Sequence, residues 1–185
     1  AADPTVRAVL ICGNGPALTV GGDIDFFAQV ASGELGATFE SMTTSFHEAF
    51  RILSRIDAPI VTAAHGSVAG GGLGFVYAAD IVLAAEDTKF VVAFGALGLT
   101  GDGGGTWYLP RLVGPRRAAR MYLENRPVEA AEAVEWGLVT EVVPFEALRE
   151  KALELATRLA AGPTKAFGGM RRLLRDSWTN TLSEQ

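Results

Sequence analysis

His65-Gly66-Ser67-Val68-Ala69-Gly70-Gly71-Gly72-Leu73-Gly74 is the stretch that decides the fold. It follows the largely apolar run Ile60-Val61-Thr62-Ala63-Ala64 and leads into Phe75-Val76-Tyr77-Ala78-Ala79. The pattern reads as strand, glycine turn and small-residue helix. Such a turn lets backbone N–H groups face a ligand with no side chain in the way. The start of a helix adds a dipole that favours negative charge. A second junction, Val20-Gly21-Gly22-Asp23-Ile24, has the same character. Two N–H groups converging on one oxygen make an oxyanion hole. Tight turns and close packing account for the same glycines equally well.

Working outward, residues 7–12 predict a buried strand, and Gly13-Asn14-Gly15-Pro16 a turn. Residues 24–27 suit a short helix and 31–38 a loop. Phe39, Met42, Phe46, Ala49, Phe50, Leu53 and Ile56 recur at helical spacing, so 39–56 predicts an amphipathic helix stopped before Pro59. Strands follow at 60–64, 80–85 and 139–143. The glycine turn at 66–74 leads to a helix at 73–79, and further helices fall at 106–112, 116–123, 128–136, 145–161 and from 163. Strands alternating with helices predict an α/β layer fold. No repeat or linker divides it, so 1–185 is expected to be one domain, with a core at about 1–114 and a helical part at about 115–185.

The 185 residues are 49% hydrophobic and carry a net charge of -5, with a mean hydropathy of +0.24. No apolar run is long enough to cross a bilayer, and no basic stripe points to nucleic acid. The excess apolarity suggests a buried sheet and subunit contacts. A single cysteine, Cys12, excludes an internal disulfide and suits a reducing cytoplasm. No His/Cys/carboxylate cluster has metal-ligand spacing.

Six segments in order resemble the crotonase superfamily, the enoyl-CoA hydratase/isomerase family. They are residues 20–24, 65–74, Ala79-Asp80-Ile81, the glycine-bearing stretch 98–106, Leu109-Pro110-Arg111-Leu112-Val113-Gly114, and Glu135-Trp136-Gly137-Leu138-Val139. The resemblance covers nearly the whole chain. It implies a spiral of strand–strand–helix turns with trailing helices, and an acyl-CoA thioester substrate. The N–H groups of Gly22 and Gly71 would hold the thioester oxygen. Gly22, Asp23, Ile24, Asp25, Ala69, Phe94 and Leu97 would line the substrate path. It also implies a homotrimer or a dimer of trimers, and no cofactor beyond the coenzyme A carried by the substrate. Family members continue past both ends, so the chain is expected to be truncated at each.

Hydratases of this family use two glutamates, at the positions held here by Gly74 and Phe94. Neither carboxylate is present. Asp102, in the second glycine-rich turn, resembles instead the base of single-aspartate enoyl-CoA isomerases, such as the ring-epoxide isomerase of phenylacetate breakdown. Aryl-CoA dehalogenases share this aspartate but pair it with a tryptophan at the position of Phe94. One base suffices for an isomerase, which takes a proton from one carbon and returns it to another, provided the enolate is held between steps. Burial beside Phe94 and Leu97 would make Asp102 a better match for carbon acids. By position alone Asp102 reads as the cap of a helix starting near Gly103.

Other residues read as structural. His47 suits a surface or interface role, His65 packing, Trp107 and Trp136 packing, and Glu132 and Glu135 a solvated face. Arg171, Arg172 and Arg175 form a basic cluster that suits a solvated helix face better than an anion site. Ser67 has no visible His–Asp relay. The expected function is migration of a double bond in an enoyl-CoA. The rival readings are an enoyl-CoA hydratase and a catalytically silent CoA-binding scaffold.

Overall fold

A computed structural model describes residues 3, 5–30 and 33–185. Four parallel strands form the main sheet in the order β1-β2-β4-β7: β1 (Val9–Cys12), β2 (Ile60–Ala64), β4 (Ile81–Ala85) and β7 (Glu141–Val143). All five residues of β2 are buried, as befits an inner parallel strand covered on both faces. β1 lies at the edge and is only half-buried, so the buried strand expected there is corrected. Side-chain alternation sorts β4 between two cores. Val82 and Ala84 join the larger cluster, while Leu83 and Ala85 join a smaller one under α7 (Phe145–Ala160). Leu148, Ala152 and Ala156 of α7 repeat at four-residue spacing onto that face. The strand from the helical half therefore belongs to the same sheet as the strands of the first half.

A second sheet, β3-β5-β6, lies on the other side. It consists of β3 (Ser67–Ala69), β5 (Lys89–Val91) and β6 (Val128–Glu129). Two expectations are corrected here. Ser67–Ala69 is a strand rather than turn, because it pairs in parallel with β5 and bridges to Thr19. The helix expected over 128–136 begins with strand β6 and turns helical only at α6 (Ala130–Glu135). The glycine turn runs through a 3₁₀ helix (Gly70–Leu73) into a single-turn helix α3 (Gly74–Tyr77). After α1 (Ile24–Gln29), α2 spans Leu35–Arg55. It starts four residues before the predicted 39, so 35–38 is helix rather than loop; residues 31 and 32 of that expected loop lie outside the described residues. The helices α4 (Gly105–Val113), α5 (Pro115–Leu123) and α8 (Thr164–Asp176) complete the chain.

Of the three arginines of α8 expected on a solvated face, Arg172 is exposed, whereas Arg171 and Arg175 turn inward onto α2. Arg171 is largely buried and clamps the end of α2: Nη2 donates to the Leu53 carbonyl at 3.2 Å, and Nη1 to the carbonyls of Ala58, at 3.1 Å, and Ile56. Its Nε lies 2.8 Å from Oδ1 and 2.7 Å from Oδ2 of Asp80. Arg175 donates to the Ser54 carbonyl, and Arg172 pairs with Asp57. The last carbonyls of a helix have no intrahelical partner and carry the negative end of its dipole. Two guanidinium groups, those of Arg171 and Arg175, satisfy and neutralise that end. Among the described residues no helix is long and apolar enough to cross a membrane.

The close seat of α8 on this corner yields a contrast between adjacent glycines. A Cβ at Gly168 would stand 2.6 Å from the Cα of Asp57, whereas one at Gly169 meets nothing within 4 Å. Both residues are interior to α8. Gly169→Ala should therefore stabilise the protein by about 0.5–1 kcal/mol through helix propensity, and Gly168→Ala should destabilise it. Denaturant unfolding of the two variants checks the opposite signs.

Candidate functional site

The two glycine junctions meet. Residues 18 and 19 run parallel beside β3: Leu18 N–H donates to the His65 carbonyl at 2.9 Å, and Ala69 N–H to the Thr19 carbonyl at 3.1 Å. This pairing brings Gly21 and Gly70 into contact. A Cβ at Gly70 would lie 3.6 Å from the Gly21 Cα, and one at Gly21 would lie 3.2 Å from the Ala69 carbonyl oxygen. Both glycines have positive φ, +89° and +57°, a region that L side chains avoid. The residue after each, Gly22 and Gly71, thus starts from the same corner of the molecule. Gly71 lies in the first turn of its 3₁₀ helix, where backbone N–H groups lack an intrahelical acceptor.

A third glycine-rich stretch closes on this corner. Gly103, at φ +60°, packs so tightly on Gly71 that a Cβ there would stand 2.8 Å from the Gly71 carbonyl oxygen. Asp102, just before it, is thereby carried to Gly71, and its Oδ2 would lie 3.8 Å from a Cβ at that residue. The other oxygen, Oδ1, accepts from the N–H of Gly103 and contacts Nε2 of His47. An ionised carboxylate only accepts, so the imidazole N–H donates in this pair. The helix-cap reading of Asp102 does not hold. The cap of α4 is Gly104, with no side-chain hydrogen bond, and the Asp102 carboxylate turns to His47 instead.

His47 keeps 39% of its side chain exposed, as a surface residue does, and also contacts Asp102. It stands on α2 next to Phe46, whose Cε1 lies 3.1 Å from the Cβ position of Gly71. Phe46 packs edge-on against Phe50 and Phe75, which sets the rotation of α2 and aims His47 at the turn. The sequence held one signal: His47 follows Phe46 and precedes Phe50 by three, at the border of the apolar stripe, where a side chain is neither core nor free.

The remaining predicted residues fall around this corner or away from it. Asp23 caps α1, its Oδ1 accepting from the Phe26 N–H at 2.9 Å. Ile24 is exposed, Asp25 lies in the first turn of α1, and Ala69 precedes the 3₁₀ helix. Phe94 packs against the main core and Leu97 is exposed. The apolar enclosure expected from these two is not what engages Asp102; His47 and the Gly103 N–H are. The ring of Phe50 fills the space beside Gly74, with its Cε2 2.7 Å from where a Cβ would stand, so position 74 has no room for a glutamate.

His65 is buried, its Nε2 bonded to the Gly15 carbonyl at 2.9 Å. Trp136 is buried, whereas Trp107 is exposed and packs at a tilt against Trp178 under the Arg111 guanidinium. Glu132 is corrected from solvated to ion-paired with Arg126, which holds its carboxyl below the usual range, chiefly through their hydrogen bond. A cavity of about 300 Å³ beside Cys12, His65 and Arg149 holds none of the three converging turns. Among the described residues no group of three His, Cys, Asp or Glu side chains is placed to hold a metal ion.

A four-strand parallel sheet whose glycine turns converge on one aspartate is the architecture expected of the crotonase superfamily. The chain belongs to the enoyl-CoA hydratase/isomerase family, which matches it over residues 1–185. It is 36% identical over 183 residues to the 1,2-epoxyphenylacetyl-CoA isomerase of Escherichia coli K12, covering 99% of this chain and 70% of that protein. It is 32% identical over 180 residues to 4-chlorobenzoyl coenzyme A dehalogenase-1 of an Arthrobacter species, covering 97% of this chain and 65% of that protein. A crystal structure from Mycobacterium abscessus, described as an enoyl-CoA hydratase/isomerase, superposes with a TM-score of 0.92 at 36% identity, covering 98% of this chain and 70% of that one. The chain thus spans roughly two thirds of the length of these relatives.

The positive φ of Gly70 isolates a backbone cost from packing, since the nearest atom to a Cβ there is at an ordinary 3.6 Å. Gly70→Ala should lower stability by about 1–2 kcal/mol, read by denaturant unfolding.

Proposed function

We propose that the protein moves a double bond in an enoyl-CoA thioester, with Asp102 as the single base. The observation that carries this is the division of labour on its carboxylate. Oδ1 is held by His47 and the Gly103 N–H, leaving Oδ2 turned toward Gly71. In this reading the thioester oxygen accepts from the N–H groups of Gly22 and Gly71. Oδ2 takes the proton from the α carbon of a 3-enoyl-CoA. The C–H electron pair enters the conjugated system, and the charge rests on the thioester oxygen. Oδ2 then returns the proton to the γ carbon, leaving a double bond between α and β. Proton and electrons balance with no external reactant. Coenzyme A enters only as part of the substrate. Asp23, Ile24, Asp25 and Ala69 line its path, while Phe94 and Leu97 line the acyl end.

Hydration through two glutamates is the poorer reading, because Phe50 occupies the space beside Gly74 and position 94 is phenylalanine. His47 acts in our reading as a positioning group, keeping Oδ1 occupied and Oδ2 aimed.

Asp102→Asn preserves size and cannot carry the proton. It should keep acyl-CoA binding and lower isomerisation of 3-hexenoyl-CoA by roughly 100- to 10,000-fold. Gly71→Ala sets a methyl 3.8 Å from Oδ2 and 3.1 Å from the Phe46 ring, and should lower turnover about a hundredfold. Both are read in deuterated water by the 2-enoyl product and by label at the α and γ carbons. Wild-type turnover in folded Asp102→Asn sinks the reading, and oxygen-18 incorporation from water into 2-hexenoyl-CoA replaces it with hydration.

We also propose that the protein self-associates as a trimer or a pair of trimers through its helical part, 115–185. Leu153 on α7 and Met170, Leu173 and Leu174 on α8 are exposed, and burial of such side chains against a second copy would be favourable. Sedimentation at micromolar concentration should give a species above monomer mass; a clean monomer counts against it.

A further inference from the structure

Asp102 lies in a turn of five residues, four of them glycine, Gly101-Asp102-Gly103-Gly104-Gly105. A turn so poor in side chains has little of its own to fix its course. Besides the Gly71 carbonyl under Gly103 and His47 on the carboxylate, one side chain of α5 holds it from outside. The Tyr122 ring enters the turn at both ends. A Cβ at Gly101 would stand 2.6 Å from Tyr122 Cε1 and 2.7 Å from its Oη, and a Cβ at Gly105 would overlap the same hydroxyl. Tyr77, buried in the main core, closes the other side of Gly105 with its Cε2 at 3.1 Å. The backbone of the turn is tied across by the Gly105 N–H donating to the Asp102 carbonyl at 3.0 Å.

We propose that Tyr122 is a positioning residue for Asp102: its phenol is the post around which the turn 101–105 is wound, and it sets the aim of Oδ2 at Gly71. The inference rests on the reading of Asp102 as the base. It assigns the helical part a share in the site, through α5, that none of the glycine signatures discloses. Tyr122 suits the task chemically. Burial first, and then the negative charge of Asp102, push its hydroxyl up to about 12. The phenol therefore stays neutral beside the carboxylate and adds no competing charge. The glycines at 101 and 105 follow from the phenol: any side chain there takes the space its oxygen fills.

The test is a size exchange. Gly105 is the first residue of α4 and is not at positive φ, so alanine is acceptable to the backbone and helix propensity favours it. Harm from Gly105→Ala would come from the Tyr122 hydroxyl. Removing that oxygen leaves Tyr77 Cε2 at 3.1 Å and Tyr122 Cζ at 3.6 Å as nearest neighbours, so Tyr122→Phe makes room for the methyl. Gly105→Ala should lower kcat for 3-hexenoyl-CoA about a hundredfold with KM nearly unchanged. Tyr122→Phe alone should lower kcat roughly tenfold, and the double variant should recover to at least the Tyr122→Phe level. Amide exchange across 101–105, read by mass spectrometry without substrate, should quicken in each single variant and return in the double. Unchanged kcat and exchange in Gly105→Ala, or a double variant no better than it, overturns the proposal. The exchange readout keeps two failures apart. If Asp102→Asn retains activity, the base assignment fails, while rescue of turn protection by Tyr122→Phe still decides whether Tyr122 holds the turn.

Discussion

Three stretches of backbone meet at one corner of the molecule with no Cβ between them, and this close approach is what the rest of the site depends on. Gly21 lies against Gly70, and Gly103 lies against the carbonyl of Gly71. A methyl group on Gly103 would push the third turn off the second and carry Asp102 away from Gly71. The positive φ values of Gly21, Gly70 and Gly103 serve the same purpose. Each lets the chain double back within a residue, so that a strand end, a helix start and an acidic turn share one small volume.

Side chains then hold what the glycines bring together. α2 is fixed at its C-terminal end by the arginines of α8 and along its length by Phe46 and Phe50 against Phe75. That double constraint sets the rotation at which His47 reaches Asp102. Phe50 has a second effect, because its ring occupies the space beside Gly74. The residue that orients the histidine helix is thus the one that leaves no room for a second carboxylate. Packing and chemistry are decided by the same aromatic ring.

Much of the fold was legible in the sequence because the signals are local. Hydrophobic period, glycine clusters and Pro59 place β2, β4, α2 and α7 within a few residues. The short elements β3, β5 and β6 were not legible. Runs of two or three residues carry no periodicity of their own, and all three owe their strand geometry to pairing with one another. Arg171 and Arg175 of α8 were misread for a related reason. Helical spacing tells which residues share a face, but not that the carbonyls of Leu53, Ser54 and Ile56 wait opposite.

By itself the sequence determined the α/β class, the order of the glycine turns, the absence of glutamate at 74 and 94, and the presence of one aspartate in the third turn. These are matters of residue type and spacing along the chain. Only the tertiary structure decided what surrounds that aspartate. His47, which contacts Asp102, stands 55 residues before it, and Tyr122, which fills the space beside Gly101 and Gly105, lies twenty residues beyond it. Neither contact has a sequence period, because each depends on the rotation of a helix fixed by packing elsewhere: α2 by Phe46 and Arg171, α5 by its seat on α4. Rotation about a helix axis is settled by the whole core at once, and so it is the last thing a linear pattern can disclose.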